Sequence, residues 1–173
     1  MEEEIDAVLG PERLPRAGDL GRLRYLGWVI MEAMRLYPPV YLLGREAVRD
    51  VDLGGYRFSR GTICLMSQWV VHRDPQFFPE PELFKPERWD KAADRQRPRF
   101  AHFPFSGGPR ICIGQPLAMI EAKLVLATLC RSFRLTASPG APVGPYPSVT
   151  LRPDPPVRLV VLRRVPAQAT SSS

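Results

Sequence analysis

A chain of 173 residues, 45% of them apolar, is long enough to bury a core and too apolar to stay unfolded. Its net charge of +6 and isoelectric point near 9.6 suggest an anionic partner. Acidic residues are interleaved with the basic ones, however, and no helical pattern carries a basic stripe with aromatics, which argues against nucleic acid and for an acidic protein.

Three cysteines, Cys64, Cys112 and Cys130, lack C-x-x-C spacing and an even count, so neither a zinc site nor a disulfide framework is expected. No apolar run reaches the ~18 residues of a membrane span, and the start Met1-Glu2-Glu3-Glu4 is too acidic for a signal peptide. The expectation is a soluble chain in the cytoplasm. Twenty prolines predict long irregular stretches rather than a simple bundle or sandwich.

In chain order, residues 2–9 read as the end of a short helix closed by Gly10-Pro11, followed by a polar linker. A long helix is expected from Asp19, a plausible N-cap, to Tyr37, with Pro38-Pro39 as its stop. Leu23, Leu26, Ile30, Met34 and Tyr37 share one face of that helix and should meet a core. Glu32 and Arg35 fall opposite, three apart and able to pair. Tyr25, Trp28, Met31 and Leu36 flank them, and a helix apolar nearly all round is buried. A buried pair must satisfy five guanidinium donors and two carboxylate oxygens, so a third polar group from elsewhere is expected.

Between Arg45 and Ser67 the pattern is of short strands: a hairpin at 52–58 around Gly54-Gly55 and a buried strand at 62–67. Residues 74–103 are Pro-rich and irregular, with Phe77, Phe78, Phe84, Trp89, Phe100 and Phe103 available to pack them. The glycine-rich turn Ser106-Gly107-Gly108-Pro109 leads through Cys112 into a second strong helix, 115–132, with Pro116 in its first turn. Strands are expected at 133–137, 149–152 and 157–163, and residues 166–173 form a frayed, disordered tail.

The stretch Phe105–Ala118 is the richest in chemistry. A cysteine just before a helix start sees unpaired amides and the positive helix end, a place that favours a sulfur anion, and Arg110 adds charge nearby. Glycines 107, 108 and 114 allow a flat partner to approach the backbone closely. The bland alternative is an inert buried thiol. A nucleophile would need His72 or His102 as base, with no local motif to support it. A phosphate loop would need Gly-Lys-Ser/Thr, which is absent.

The pattern Phe105-x-x-Gly108-x-Arg110-x-Cys112-x-Gly114 resembles the signature of the cytochrome P-450 haem-thiolate proteins. Two further landmarks stand in the right order: Glu32-x-x-Arg35 resembles the family's ion pair, and Phe84-Lys85-Pro86-Glu87-Arg88-Trp89 resembles its meander, whose arginine completes the network. Arg88 is thus the expected third group.

The resemblance spans residues 1–165. It implies a mainly α fold with small antiparallel sheets, an incomplete single domain forming the C-terminal part of the P-450 fold. It also implies haem b as cofactor, with Cys112 as catalytic residue and axial iron ligand. A thiolate in that position donates electrons that favour O–O cleavage. Phe105 would pack near the sulfur, Gly114 would count with it among the haem-binding residues, and Arg45 and Arg110 would meet the haem propionates with their fixed charge and bidentate fork. His72 is placed near the haem edge in relatives, a local capping role being the alternative. Val40, Leu42, Leu43 and Val149 become candidate contacts for a hydrophobic substrate.

The activity implied is monooxygenation: one oxygen atom from O2 enters a hydrophobic substrate, with electrons from a ferredoxin, flavodoxin or flavoprotein reductase. His102 is expected to be a loop residue, and Cys64 and Cys130 core residues. The family's distal-helix string, Ala/Gly-Gly-x-Asp/Glu-Thr, does not occur in this sequence. The chain is therefore expected to carry only the proximal, haem-binding part, with a non-catalytic remnant or an inactive truncated fragment as alternatives.

Overall fold

A computed structural model of the chain describes residues 1–10, 13–90, 97–140 and 142–164. The expected tail at 166–173 lies outside the described residues.

Helix α1 (Glu2–Leu9) lays Ile5 and Leu9 against Leu23, Leu26 and Ile30 of the second helix region and Ala127 and Cys130 of the last helix. Helix α2 runs Arg24–Leu36, five residues shorter at its start than the sequence suggests. Asp19 is not its cap. It closes a 3-10 turn, Ala17–Asp19, and its carboxylate is taken by Arg13 at 2.7 and 2.9 Å and by the Arg16 amide at 2.8 Å. Those bonds hold its carboxyl down at about 2, Arg13 contributing most.

The cap of α2 comes from another helix. Glu4 of α1 accepts from the amides of Tyr25 at 2.7 Å and Leu26 at 2.9 Å, filling the orphan donors of the first turn with a carboxylate suited to the positive helix end. The apolar stripe of α2 is buried at Leu23, Leu26 and Ile30, but Tyr37 lies beyond the helix end and is 58% exposed.

Strand β1 (Leu42–Glu46) pairs antiparallel with β4 (Ile63–Ser67), and between them β2 (Val51–Leu53) and β3 (Tyr56–Phe58) form the expected hairpin. Gly54 and Gly55 both take positive φ at its turn, where side chains are strained. The expectation of a buried β4 fails: Ile63 is 68% exposed and Leu65 is also exposed, because β4 has only β1 beside it and its apolar face has no layer over it among the described residues.

Helix α3 (Gln68–Val71) follows directly, its start capped by the Ser67 hydroxyl accepting from the Val70 amide. Helix α4 occupies Gln115–Ser132, the expected span. Strands β5 (Phe133–Ala137) and β8 (Leu159–Arg163) pair, as do β6 (Gly144–Pro147) and β7 (Leu151–Asp154).

Among the described residues every sheet has two strands, and eight such strands take up about four-fifths as much chain as the four α-helices. Helix with small antiparallel sheets is therefore the architecture, without a clear predominance of helix.

A second core lies under the irregular stretch. Phe78, Trp89 and Ala101 are buried, with Trp28, Met31 and Phe77 against them, whereas Phe84 and Phe100 stay exposed. Arg97 adds its guanidinium over both the Phe78 and Trp89 rings, at 4.6 and 4.7 Å. No described helix is long and apolar enough to cross a membrane.

Candidate functional site

Glu32 and Arg35 are completely buried and form a two-pronged pair, Arg35 Nε to Oε2 and Nη2 to Oε1, both at 2.9 Å. Arg88, brought up on a 3-10 turn (Pro86–Trp89), donates Nε to Glu32 Oε1 at 2.9 Å. These three expected residues do meet. Two further donors on the same carboxylate have no counterpart in the sequence reading: the Lys85 amide at 2.9 Å and the Trp89 indole N–H at 3.0 Å. Burial pushes the Glu32 carboxyl up, and Arg35, the Lys85 amide and Arg88 more than offset it, leaving it below its usual range.

The remaining guanidinium donors are used on main-chain carbonyls. Arg35 reaches His72, Pro81 and Leu83, and Arg88 reaches Pro79, Glu80 and Leu83. The pair thus pins the turns at 79–83 as well as the end of α3, and the polar demand set by burying charge is met.

Cys112 is exposed and stands between a 3-10 turn (Gly108–Arg110) and α4. Its N–H donates to the Phe105 carbonyl at 2.9 Å, and its own carbonyl accepts from the Gln115 amide at 3.3 Å. Ser106 and Gly108 have positive φ, of 66° and 68°, so the loop is tightly turned. Gly107 faces the Phe100 ring so closely that a Cβ would come within 2.5 Å of Cε1. Gly114 is the residue before α4, where a Cβ would touch the Cys112 sulfur at 3.7 Å, an ordinary contact.

An open, predominantly apolar cleft of about 490 Å³ runs past this loop. Phe105, Arg110 and Cys112 line it together with Val40 and Leu43, and Ile30, Met34, Ala118, Met119 and Ala122 complete its apolar walls. Three other residues expected at this site, Leu42, Val149 and Arg45, do not line the cleft. Leu42, adjacent to Leu43 along β1, projects to the opposite face of the strand and is not part of the wall. Val149 is 94% exposed on a turn. Arg45 is exposed, donating to Gly44 O at 2.8 Å and reaching Ser106 Oγ at 3.4 Å.

His72 is buried beside the loop rather than on the cleft wall, and His102 packs on it with ring centroids 4.7 Å apart and on Trp89 at 4.4 Å. Burial leaves His72 at about 4 and His102 at about 2, so both imidazoles are neutral near pH 7. Cys130 is buried in the first core and Cys64 is half-buried.

The donor set favours a metal already held in a macrocycle. One accessible sulfur faces an apolar cleft, and no group of three His, Cys, Asp or Glu able to hold a bare ion occurs among the described residues. A close-turned, glycine-bearing loop and an arginine on the wall fit a flat, apolar group with anionic edges.

With the loop, the buried pair and the cleft described, comparison with known proteins gives the family. The chain belongs to the cytochrome P450 family, whose model matches residues 1–161. It is 39% identical over 155 residues to cyclooctatin synthase of Streptomyces melanosporofaciens, an alignment covering 90% of this chain and 34% of that protein. It is 41% identical over 134 residues to cytochrome P450 4V2 of Mus musculus, covering 77% of this chain and 26% of that protein. With putative cytochrome P450 132 of Mycobacterium tuberculosis it shares 38% identity over 164 residues, covering 95% and 35% respectively. The chain thus spans between a quarter and about a third of the length of these relatives. The family is one of haem-dependent monooxygenases.

Proposed function

We propose that the cleft takes haem b, with the Cys112 thiolate as axial ligand to the iron, and that the chain supplies the cysteine-bearing part of a monooxygenase acting on a hydrophobic substrate. The observation that carries this reading is the accessible Cys112 sulfur in an apolar cleft beside Phe105 and Arg110. Bound there, haem would supply oxygen activation, one atom of O2 entering the substrate and the other leaving as water with two electrons from the donor and two protons from solvent.

The protein's own part is to hold and shield. The Phe105 carbonyl fixes the main chain of Cys112. Arg110, on the cleft wall, would pair with a propionate, and Arg45 would offer a second charge near Ser106. Val40 and Leu43 contribute apolar wall, which suits an apolar substrate. The net charge of +6 suits docking of an acidic ferredoxin or flavodoxin, or a flavoprotein reductase, as electron donor. A cytoplasmic setting belongs to the same reading.

The test is the reduced, CO-bound absorption spectrum of the haemin-loaded chain. A thiolate-type Soret band that disappears in Cys112→Ala is the expected result. An identical spectrum in both proteins removes Cys112 from the iron.

A second reading has its own support. Ile113 is 98% exposed, Leu117 and Ile120 on α4 are exposed, and so is every residue of β8, leaving large apolar faces uncovered. A chain in that condition would bind haem without turning over until further polypeptide of the family covers those faces. Oxygen-dependent product formation with a reductase system, present or absent in the haem-loaded chain, separates the two.

A further inference from the structure

Two buried side chains beside the cysteine loop, Gln68 on the cleft wall and His72 next to it, have no part in the haem chemistry proposed above. Gln68 begins α3 and His72 lies one turn later, immediately after it, and neither is exposed at all. Both reach the same residue. Gln68 Nε2 donates to the Phe103 carbonyl at 3.2 Å, and the Phe103 N–H donates to His72 Nε2 at 3.0 Å. Positions i and i+4 share a helix face, so one turn of α3 grips both main-chain groups of a single residue.

The grip continues in two directions. On one side, the His72 carbonyl accepts from Arg35 Nη1 at 2.8 Å, which ties the end of α3 to the buried Glu32 pair. On the other, the Ser106 N–H donates to the Phe103 carbonyl at 2.9 Å, and the next turn is fixed by the Cys112 N–H on the Phe105 carbonyl, also at 2.9 Å. Apolar residues at 68 and 72 would fill the space without the cost of burying polar atoms. That cost is visible: Gln68 Oε1 and His72 Nδ1 have no hydrogen-bond partner among the described residues.

We propose that Gln68 and His72 are positioning residues, a two-point clamp on Phe103 through which the Glu32–Arg35 pair sets the placement of the loop that presents the Cys112 sulfur. The clamp stands on its own geometry. Its consequence for the iron rests on the haem-thiolate reading above.

The experiment uses the whole chain and three variants: Gln68→Met and His72→Phe, which each remove one hydrogen bond, and His72→Gln, which restores an acceptor near the position of Nε2. Amide hydrogen exchange is measured without haem at Phe103 and over residues 24–36 and 115–132. Exchange at Phe103 is expected to rise about tenfold in His72→Phe, which removes the acceptor of its N–H, by a smaller factor in Gln68→Met, which frees only its carbonyl, and to return toward wild type in His72→Gln, with α2 and α4 unchanged. In the haemin-loaded, reduced, CO-bound proteins, the thiolate-type share of the Soret band falls in the first two variants and recovers in the third.

Unaltered exchange at Phe103 overturns the clamp, and so does a rise spread evenly over all three regions in every variant. A chain that takes up no haem removes the haem-thiolate reading and leaves the exchange result to decide the clamp. A local rise at Phe103 with an unchanged Soret band confines the clamp to folding and overturns its role at the sulfur.

Discussion

The Trp89 indole N–H lies 3.0 Å from Glu32 Oε2, a bond spanning 57 residues between two completely or nearly completely buried side chains. With it, Oε2 has two donors, while Oε1 has three, from Arg35, Arg88 and the Lys85 amide. A carboxylate so fully engaged explains how a charge can sit inside the core. It also makes Glu32 the junction between α2 and the irregular segment that precedes the cysteine loop.

Removing the charge should therefore cost far more than removing one donor. Glu32→Gln leaves two buried guanidinium groups without their anion and should cost about 3–5 kcal/mol, enough to unfold a marginal chain. Trp89→Phe loses one bond to a charged acceptor, about 1.5–3 kcal/mol, together with the packing of the part of the indole that a phenyl ring does not replace. Urea denaturation of both variants gives the comparison. Equal losses would show that the Glu32 charge adds nothing beyond its one bond to Trp89.

Acid should weaken the fold in two stages. His72 and His102 are held at about 4 and about 2, principally by burial, whereas both titrate near 6.5 in an unfolded chain. Below pH 6.5 the unfolded state binds the extra protons, so stability is full above that value and falls as pH drops toward 4 for His72 and toward 2 for His102. Each contributes at most about 1.4 kcal/mol per pH unit. Glu32, whose carboxyl lies below its usual range, adds a further loss once pH falls below the ordinary carboxylate value. His102→Phe should flatten the first stage without abolishing it, as read from denaturation midpoints between pH 7.5 and 5. An unchanged slope would mean that His102 is not buried as a neutral ring.

The start of α2 carries a third prediction. Glu4 takes the Tyr25 and Leu26 amides from a different helix, so Glu4→Ala should cost about 1 kcal/mol, like the loss of an ordinary N-cap, although residue 4 is 20 positions from Arg24. Asp19→Ala, at the residue that looks like the cap in sequence, should leave α2 itself intact and release Arg13. Hydrogen exchange of the Tyr25 and Leu26 amides distinguishes them: it should rise in the first variant only.

These cases mark where the sequence was readable. Helix α4 was, because Pro116 sets its first turn and its apolar run continues to Ser132. The Glu32–Arg35 pair was, because helical periodicity surrounds it with apolar residues and burial then demands a third polar group. The loop at Cys112 announced itself by the density of its glycines and its cysteine. What the sequence hid was contact between distant segments: Glu4 capping α2, Trp89 and the Lys85 amide on Glu32, Gln68 and His72 on Phe103. No periodic pattern links such positions. The exposure of Ile63 and Leu65 was hidden for a different reason, since alternation tells which residues share a face and not whether anything covers it.

The two central glycines of the cysteine loop should respond differently to alanine. At Gly108 the strain is in the backbone alone: φ is 68° and nothing lies within 4 Å of an added Cβ. Gly108→Ala should cost about 1 kcal/mol, and no change in a neighbouring side chain should relieve it. Gly107 has an extended backbone with φ of −160°, and its constraint is the Phe100 ring, 2.5 Å from an added Cβ. Phe100 is 54% exposed, so Gly107→Ala should push that ring outward, and the cost should fall when Phe100 is also made alanine. A double-mutant cycle on thermal stability measures this directly: coupling with Phe100→Ala of about 0.5 kcal/mol or more is expected at position 107 and none at 108. Equal coupling at both positions would mean that the ring restrains the whole turn, and the distinction between steric and backbone strain in this loop would fail.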